Sequence, residues 1–300
     1  MDADLDTLLT ALYCFVDDAL PEPCLPGRPK RLSDAELVTL AVAQVLLERP
    51  SEAAWLRYAR KHLSGMFPYL PQQAGWNKRL RAAGDLIARV LRALAAATPT
   101  EVPALQLIDS TPLPCATSRE TVKRSDLVGH AGYGYCASHS RFFWGMRLYL
   151  VATAEGMPVT WCLAQPKLGE REVVAALLEL DHHLMAEGQV ILADKGFSGH
   201  DFDAFVSELG AHLVTPPRAS KNHPRPEPEP LVKRLLHVRQ WIESIFDTLK
   251  GQLSLERHGA RTDTGVYARV GQRLLALASA IWHNTHTGQA RRRSLIAYDH

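Results

Sequence analysis

The sequence predicts an α/β protein, a mixed sheet with helices on its faces, preceded by an all-helical region. Three observations predict it. The first hundred residues carry helical hydrophobic periods and no strand-like run. At TPTEVP, residues 98–103, that pattern stops. Beyond it, short apolar runs alternate with helical segments in the order strand, strand, strand, helix, strand, helix, strand, helix.

The elements follow in order. Residues 3–20 have a loose helical period, which PEPCLPGRPKR at 21–31 breaks. Ser33 and Glu36 form a capping-box pattern ahead of DAELVTLAVAQVLLE, each able to accept an amide left unpaired at the helix start. A third helix is expected from Ser51 to about Leu63, closed by PYLP at 68–71, and a fourth from Gly75 to Ala97. ALQLIDS then reads as a short buried strand ending at Asp109, and HAGYGYCASHS, 130–140, as a loop with two tyrosines. Residues 141–164 read as two long strands joined around Glu155-Gly156, a hairpin signal. A helix over 170–187 ends at Gly188, and QVILAD, 189–194, is a second buried strand ending in an acid. KGFSGHD leads into a helix through Leu209, then the strand AHLVTPP and the loop KNHPRPEPEP. RQWIESIFDTLK, 239–250, reads as one helix, and a last helix spans 265–283. The expected division is a helical region over 1–100 and a sheet domain with its C-terminal helix and basic tail over 101–300.

Composition narrows the class. Hydrophobic content of 46% and charged content of 22% are those of a soluble globular protein. No apolar run reaches the roughly 18 residues of a membrane span, and MDADLDTLLT lacks the basic start of a signal peptide. The five cysteines are scattered, without a C-x-x-C pair, which argues against a disulfide framework or a thiolate zinc site and for a reducing, intracellular setting. The net charge of +2 hides an asymmetry: from Arg218 onward fourteen Lys and Arg face seven Asp and Glu, a local +7. A basic C-terminal third, extended by RRR at 291–293, suits a polyanion.

The chemistry gathers on three acids. Asp109 and Asp194 end two strands, and ligand sites in open α/β sheets lie at strand ends. If those strands are neighbours, the carboxylates converge, and Glu243 approaches from a helix across that edge. At 100° per residue, Arg239, Glu243 and Lys250 fall within about 40° of one another. Val238, Ile242, Ile245 and Leu249 form the adjoining apolar face. Three oxygen donors without His or Cys suit hard cations, Mg²⁺ or Mn²⁺. Two such ions about 4 Å apart can activate an attacking oxygen and stabilise the leaving one in phosphodiester displacement. Arg239 and Lys250 then have a role along the flanking phosphates. Taken singly, each feature has a plainer explanation: a turn or helix cap for a strand-ending Asp, a surface ion pair for the helix.

LIDS, ILADKGF and R-x3-E-x6-K resemble the DDE transposases of bacterial insertion sequences, over roughly residues 104–285. The resemblance implies an RNase H-like catalytic core. It implies two Mg²⁺ or Mn²⁺ ions held by Asp109, Asp194 and Glu243, with phosphate contacts from Arg239 and Lys250. Water would attack a phosphodiester at the element end, and the freed 3′-hydroxyl would attack target DNA. The partners it implies are double-stranded DNA, as terminal repeats and target, and a second copy of the chain when two ends are paired. Its setting would be the bacterial cytoplasm, on the nucleoid. The helix looks like the family's Y-R-E-K signature, except that Leu236 stands where the tyrosine falls. Only 48 residues separate Asp194 from Glu243, too few for the β insertion that some relatives carry.

Other basic residues are candidates for DNA contact: Lys195 after Asp194, Arg218 in TPPR, Arg257 and Arg261 in LERHGART, and Lys78, Arg79 and Arg81 in the helical region. Those last three fit a DNA-binding bundle and equally a helical cap that only packs. Trp144, Trp161 and Trp282 suit core packing better than base stacking. Two other readings stay open here. One is a DNA-binding but catalytically inactive transposase remnant. The other is a different metal-dependent phosphotransferase with LIDST as its nucleophile strand, although Thr111 stands where such enzymes want a second Asp.

Overall fold

The computed structural model describes residues 3–20, 30–136, 140–217, 230–291 and 295. Its chain forms two compact units, Met1–Pro99 with Thr248–His300, and Thr100–Asp247. The first unit ends at Pro99, beside the change of pattern at residues 98–103, and Thr248–His300 groups with the helices.

The helical unit contains α1 (Ala3–Ala19), α2 (Asp34–Leu46), α3 (Glu52–His62), α4 (Gln73–Arg81) and α5 (Gly84–Ala97). The capping box of α2 forms as read: Ser33 Oγ accepts from the Glu36 amide at 3.0 Å, and Glu36 accepts from the Ser33 amide at 2.6 Å. The single helix expected over 75–97 is two. The Ala83 amide donates to Leu80 O, three residues back, which tightens the turn and ends α4. Gly84 then opens α5 against Tyr267, where a Cβ would lie 3.0 Å from the ring. Tyr267 belongs to the last helix, α11 (Asp263–His286), which is buried over most of its length. The Gln272 carboxamide is anchored inside by Ala41 O at 2.8 Å and Gln44 Oε1 at 3.1 Å. Apolar burial, with the Gln272 carboxamide satisfied inside, explains why α11 joins this unit.

Among the described residues the sheet unit contains six strands: β1 (Leu105–Ala116), β2 (Gly132–Cys136), β3 (Arg141–Thr153), β4 (Pro158–Ala164), β5 (Gln189–Ala193) and β6 (Ala211–Val214). Their order is β2-β3-β1-β5-β6, with β4 also on β3. β1 is antiparallel to β3 and parallel to β5, and β5 is parallel to β6. Helices α7 (Glu170–Leu180) and α8 (His200–Glu208) bury one face with Val174, Leu177, Phe202 and Val206 over Ile108, Tyr149 and Ile191. This curled mixed sheet with flanking helices is the RNase H-like fold that the resemblance implied.

Two strands differ from the sequence reading. β1 does not end at Asp109 but runs seven residues further, to Ala116. Pro112 and Pro114 would interrupt a strand paired on both edges, yet β1 pairs with β5 only over Leu105–Ile108. The prolines lie past that ladder, on a stretch paired along one edge alone, where a missing amide leaves no bond unmade. GYGYC, expected as loop, forms β2 by pairing with the start of β3. A short α6 (Arg119–Lys123) lies between β1 and β2. The expected helix over 170–187 stops at Leu180. Arg218 and most of KNHPRPEPEP lie outside the described residues, as do His139 and two arginines of the RRR run.

Candidate active site

Asp109 stands where the sheet opens. It is the first residue of β1 beyond the parallel ladder, and Asp194 is the first beyond β5. The register pairs Ile108 with Ala193, so the two aspartates follow side by side, on chains roughly 5 Å apart. Ile108 and Ala193 point into the core under α7 and α8. By alternation Asp109 and Asp194 turn to the other face. A strand and its crossover partner thus place two like charges together.

The third acid arrives through a break in the expected helix. RQWIESIFDTLK is divided between α9 (Pro230–Arg239) and α10 (Trp241–Gly251). The Gln240 amide donates to His237 O and the Glu243 amide to Gln240 O, two short-range bonds in place of the α-helical ladder. Arg239 therefore closes one helix and Glu243 opens the next, and the single polar stripe predicted for them is interrupted. Glu243 gains from the helix dipole in that first turn. Of the expected apolar face, Ile242, Ile245 and Leu249 are buried, while Val238, on α9, is half-buried.

Helix α9 packs on β5 and brings Arg239 between the acids. Its Nη1 lies 3.9 Å from Asp194 Oδ1, and its Nη2 lies 3.8 Å from Glu243 Oε1. The Arg239 side chain is 14% exposed, against 43% for Asp194 and 62% for Glu243. Its Nε is buried without a hydrogen-bond partner among the described residues. A guanidinium so placed offsets carboxylate repulsion that water screens only in part. Lys250, further along α10, is 3.9 Å from Glu256 Oε1.

Burial pushes the Asp109 carboxyl up to about 6. The charges of Asp194 and Glu170 add to that rise; the Ser110 amide, donating to Asp109 Oδ1 at 2.7 Å, and the Arg239 charge oppose it. Among the described residues, no three His, Cys, Asp or Glu side chains stand close enough together to hold a metal ion. The donor chemistry nevertheless suits a hard cation, because Asp109, Asp194 and Glu243 offer oxygen atoms only.

The remaining candidates separate. Lys195 is exposed directly after Asp194. Arg81 and Arg261 line one polar cleft of the helical unit, about 370 Å³, with Asn77, His258 and Arg269. Arg257 and Lys78 are exposed. Arg79 instead ties its own unit together, 2.8 Å from Asp34 Oδ1 and donating to Leu32 O at 3.0 Å. Trp144, Trp161 and Trp282 are buried. No helix among the described residues is long and apolar enough to cross a membrane.

Sequence reasoning missed three residues behind the site. Arg147 on β3 forms an ion pair with Glu170, the first residue of α7, and donates to Ser110 Oγ at 2.8 Å. Ser110 Oγ donates to Glu170 Oε1 at 3.2 Å. The available signal was Arg147 itself, a lone charge inside the apolar run FFWGMRLYLV.

A family model described as a transposase DDE domain matches residues 101–278. No curated protein matches the chain.

Proposed function

The chain belongs to the DDE transposase family, and we propose that it cuts DNA at the ends of an insertion element and joins the freed 3′-hydroxyl to target DNA. Enzymes of this family act in DNA transposition, bind DNA and generally use divalent metal ions. The observation that supports the finer reading is the side-by-side placement of Asp109 and Asp194, with Glu243 linked to them through Arg239. We assign these three acids to two Mg²⁺ or Mn²⁺ ions. Bound there, the metal supplies activation of the attacking oxygen and charge stabilisation at the leaving one.

The chain's own residues orient and neutralise. The Ser110 amide fixes one oxygen of Asp109. Arg239 keeps Asp194 and Glu243 from repelling each other and is poised to turn to a phosphate oxygen of the strand being cut. Lys195 follows Asp194 and Lys250 follows Glu243 in the chain, and we assign both to phosphate contacts. Arg218, Arg257 and Lys78 add to the track on double-stranded DNA, and the region 1–100 reads the element ends. Two ends are held by a dimer or larger assembly, on the nucleoid in the cytoplasm. Arg79 contributes by holding its helix rather than by touching DNA.

The test is incubation of the full chain with DNA flanking its gene and Mg²⁺ or Mn²⁺. Nicks at a fixed boundary, with 3′-ends that join to a second plasmid, are the expected products. Binding of those ends without any cut would instead identify a binding-only remnant. In parallel, Arg81→Ala with Arg261→Ala is expected to weaken binding about equally for all sequences. The slope of log affinity against log salt should fall by about 2, one for each phosphate no longer neutralised. An unchanged slope would place the cleft off the DNA.

A further inference from the structure

We infer that Glu170, held by Arg147, is a positioning residue for the two aspartates, acting through Ser110 from the covered face of the sheet. This rests on the assignment of Asp109 and Asp194 proposed above. Three elements meet here. Glu170 opens α7 with 37% of its side chain exposed, and Arg147 reaches it from β3 with 18% exposed. Both hold the Ser110 hydroxyl of β1: Arg147 Nη1 donates to it at 2.8 Å, and it donates to Glu170 Oε1 at 3.2 Å. The same Ser110 donates its amide to Asp109 Oδ1 at 2.7 Å. The orientation of one peptide therefore sets one oxygen of Asp109, and the three side chains fix that peptide.

The second oxygen of Glu170 faces the other aspartate's segment. A Cβ added at Gly196, two residues after Asp194, would lie 3.1 Å from Glu170 Oε2. One carboxylate thus abuts the chain just beyond both Asp109 and Asp194. These two segments have no ladder between them, since β1 and β5 part company after Ile108 and Ala193. Glu170 lies beside both segments where that ladder is missing, bonded to Ser110 and packed near Gly196. Ser110 alternates to the face opposite Asp109, so Glu170 is a brace behind the acids and not a fourth ligand beside them.

A pair that merely anchored α7 on the sheet would behave differently. Its loss would lower the melting temperature and weaken every activity together. A positioning role predicts a selective change in the response to metal. The experiment compares full-length wild type, Glu170→Gln, Ser110→Ala and the double variant, by calorimetric Mn²⁺ titration without DNA and by Mg²⁺-dependent cleavage. Each single variant is expected to bind Mn²⁺ about ten-fold more weakly and to need correspondingly more Mg²⁺ for cleavage. Binding of element ends and the melting temperature should stay near wild type. The double variant should be no worse than the worse single one, because both changes break the same relay. Unmoved metal affinity, or additive losses that follow the melting temperature, would overturn the inference. Asp194→Asn serves as the separate control: Mn²⁺ affinity unchanged in that variant would sink the aspartate assignment itself, whatever Glu170 does.

Discussion

Glu243→Gln is expected to leave DNA binding intact and to lower metal-dependent cleavage by about a thousand-fold or more. The substitution keeps shape and polarity and removes one negative charge. Glu243 is 62% exposed and opens α10, so its loss costs the fold little. Its place near Arg239 and Asp194 is what makes it consequential. A carboxylate that helps hold a catalytic cation contributes several kcal/mol to the transition state, and about 4 kcal/mol corresponds to that factor in rate. Strand-cleavage assays at saturating Mg²⁺, with end binding measured alongside, check the prediction. Equal cleavage by both proteins would return Glu243 to a surface ion pair with Arg239, the plain explanation that its sequence pattern also allowed. Loss of binding as well as cleavage would point to a folding defect instead.

Asp109→Asn should abolish cleavage while making the metal-free protein more stable at pH 8. The reason is the direction of the Asp109 shift. Its carboxyl titrates near 6 in the folded chain, against 3.8 for an ordinary aspartate, chiefly because burial disfavours the charged form. Between about pH 4 and pH 6 the folded state keeps a proton that the unfolded state has released. Stability contributed by this group is therefore present below pH 4, falls as pH rises through 6, and stays low above it. The shift corresponds to up to about 3 kcal/mol. Asparagine carries no such burden and still offers an oxygen to the Ser110 amide. Thermal melts without metal should place the variant several degrees above wild type at pH 8 and level with it near pH 3.5. Saturating Mg²⁺ should then close or reverse the gap, because on the proposed assignment only the wild type would gain the binding free energy of a cation held by all three acids. A variant less stable than wild type at pH 8 without metal would show that Asp109 has a stabilising partner as an anion.

Much of this was legible in the residues. The alternation of apolar runs and helical periods fixes the fold class, because buried sheets and helices each need their own spacing of hydrophobic residues. LIDS and QVILAD mark two acids at the ends of buried runs, and Ser33 with Glu36 marks a helix start down to its hydrogen bonds. The three carboxylates could be chosen from such local patterns. The elements that were misread depend on partners far away in the chain. GYGYC has two exposed tyrosines and three small residues, so nothing local makes it a strand; the start of β3 does. The prolines after Asp109 look like a stop until it is known that β5 has already left that edge. The break after Arg239 has no Pro or Gly to announce it, and it alone turns a surface stripe into a cation seated between two acids.

The sequence by itself determined which chemistry is available: oxygen-only acids, a basic C-terminal third and a sheet that brings strand ends together. Tertiary structure alone decided how those groups are held. It grouped 248–300 with the helices, placed Arg239 among the carboxylates and set Glu170 behind the two aspartates. The reason is physical. Residue type fixes charge and donor atoms, which are properties of a single side chain. Distance, burial and shared counter-charges belong to pairs of residues that only the folded chain brings together.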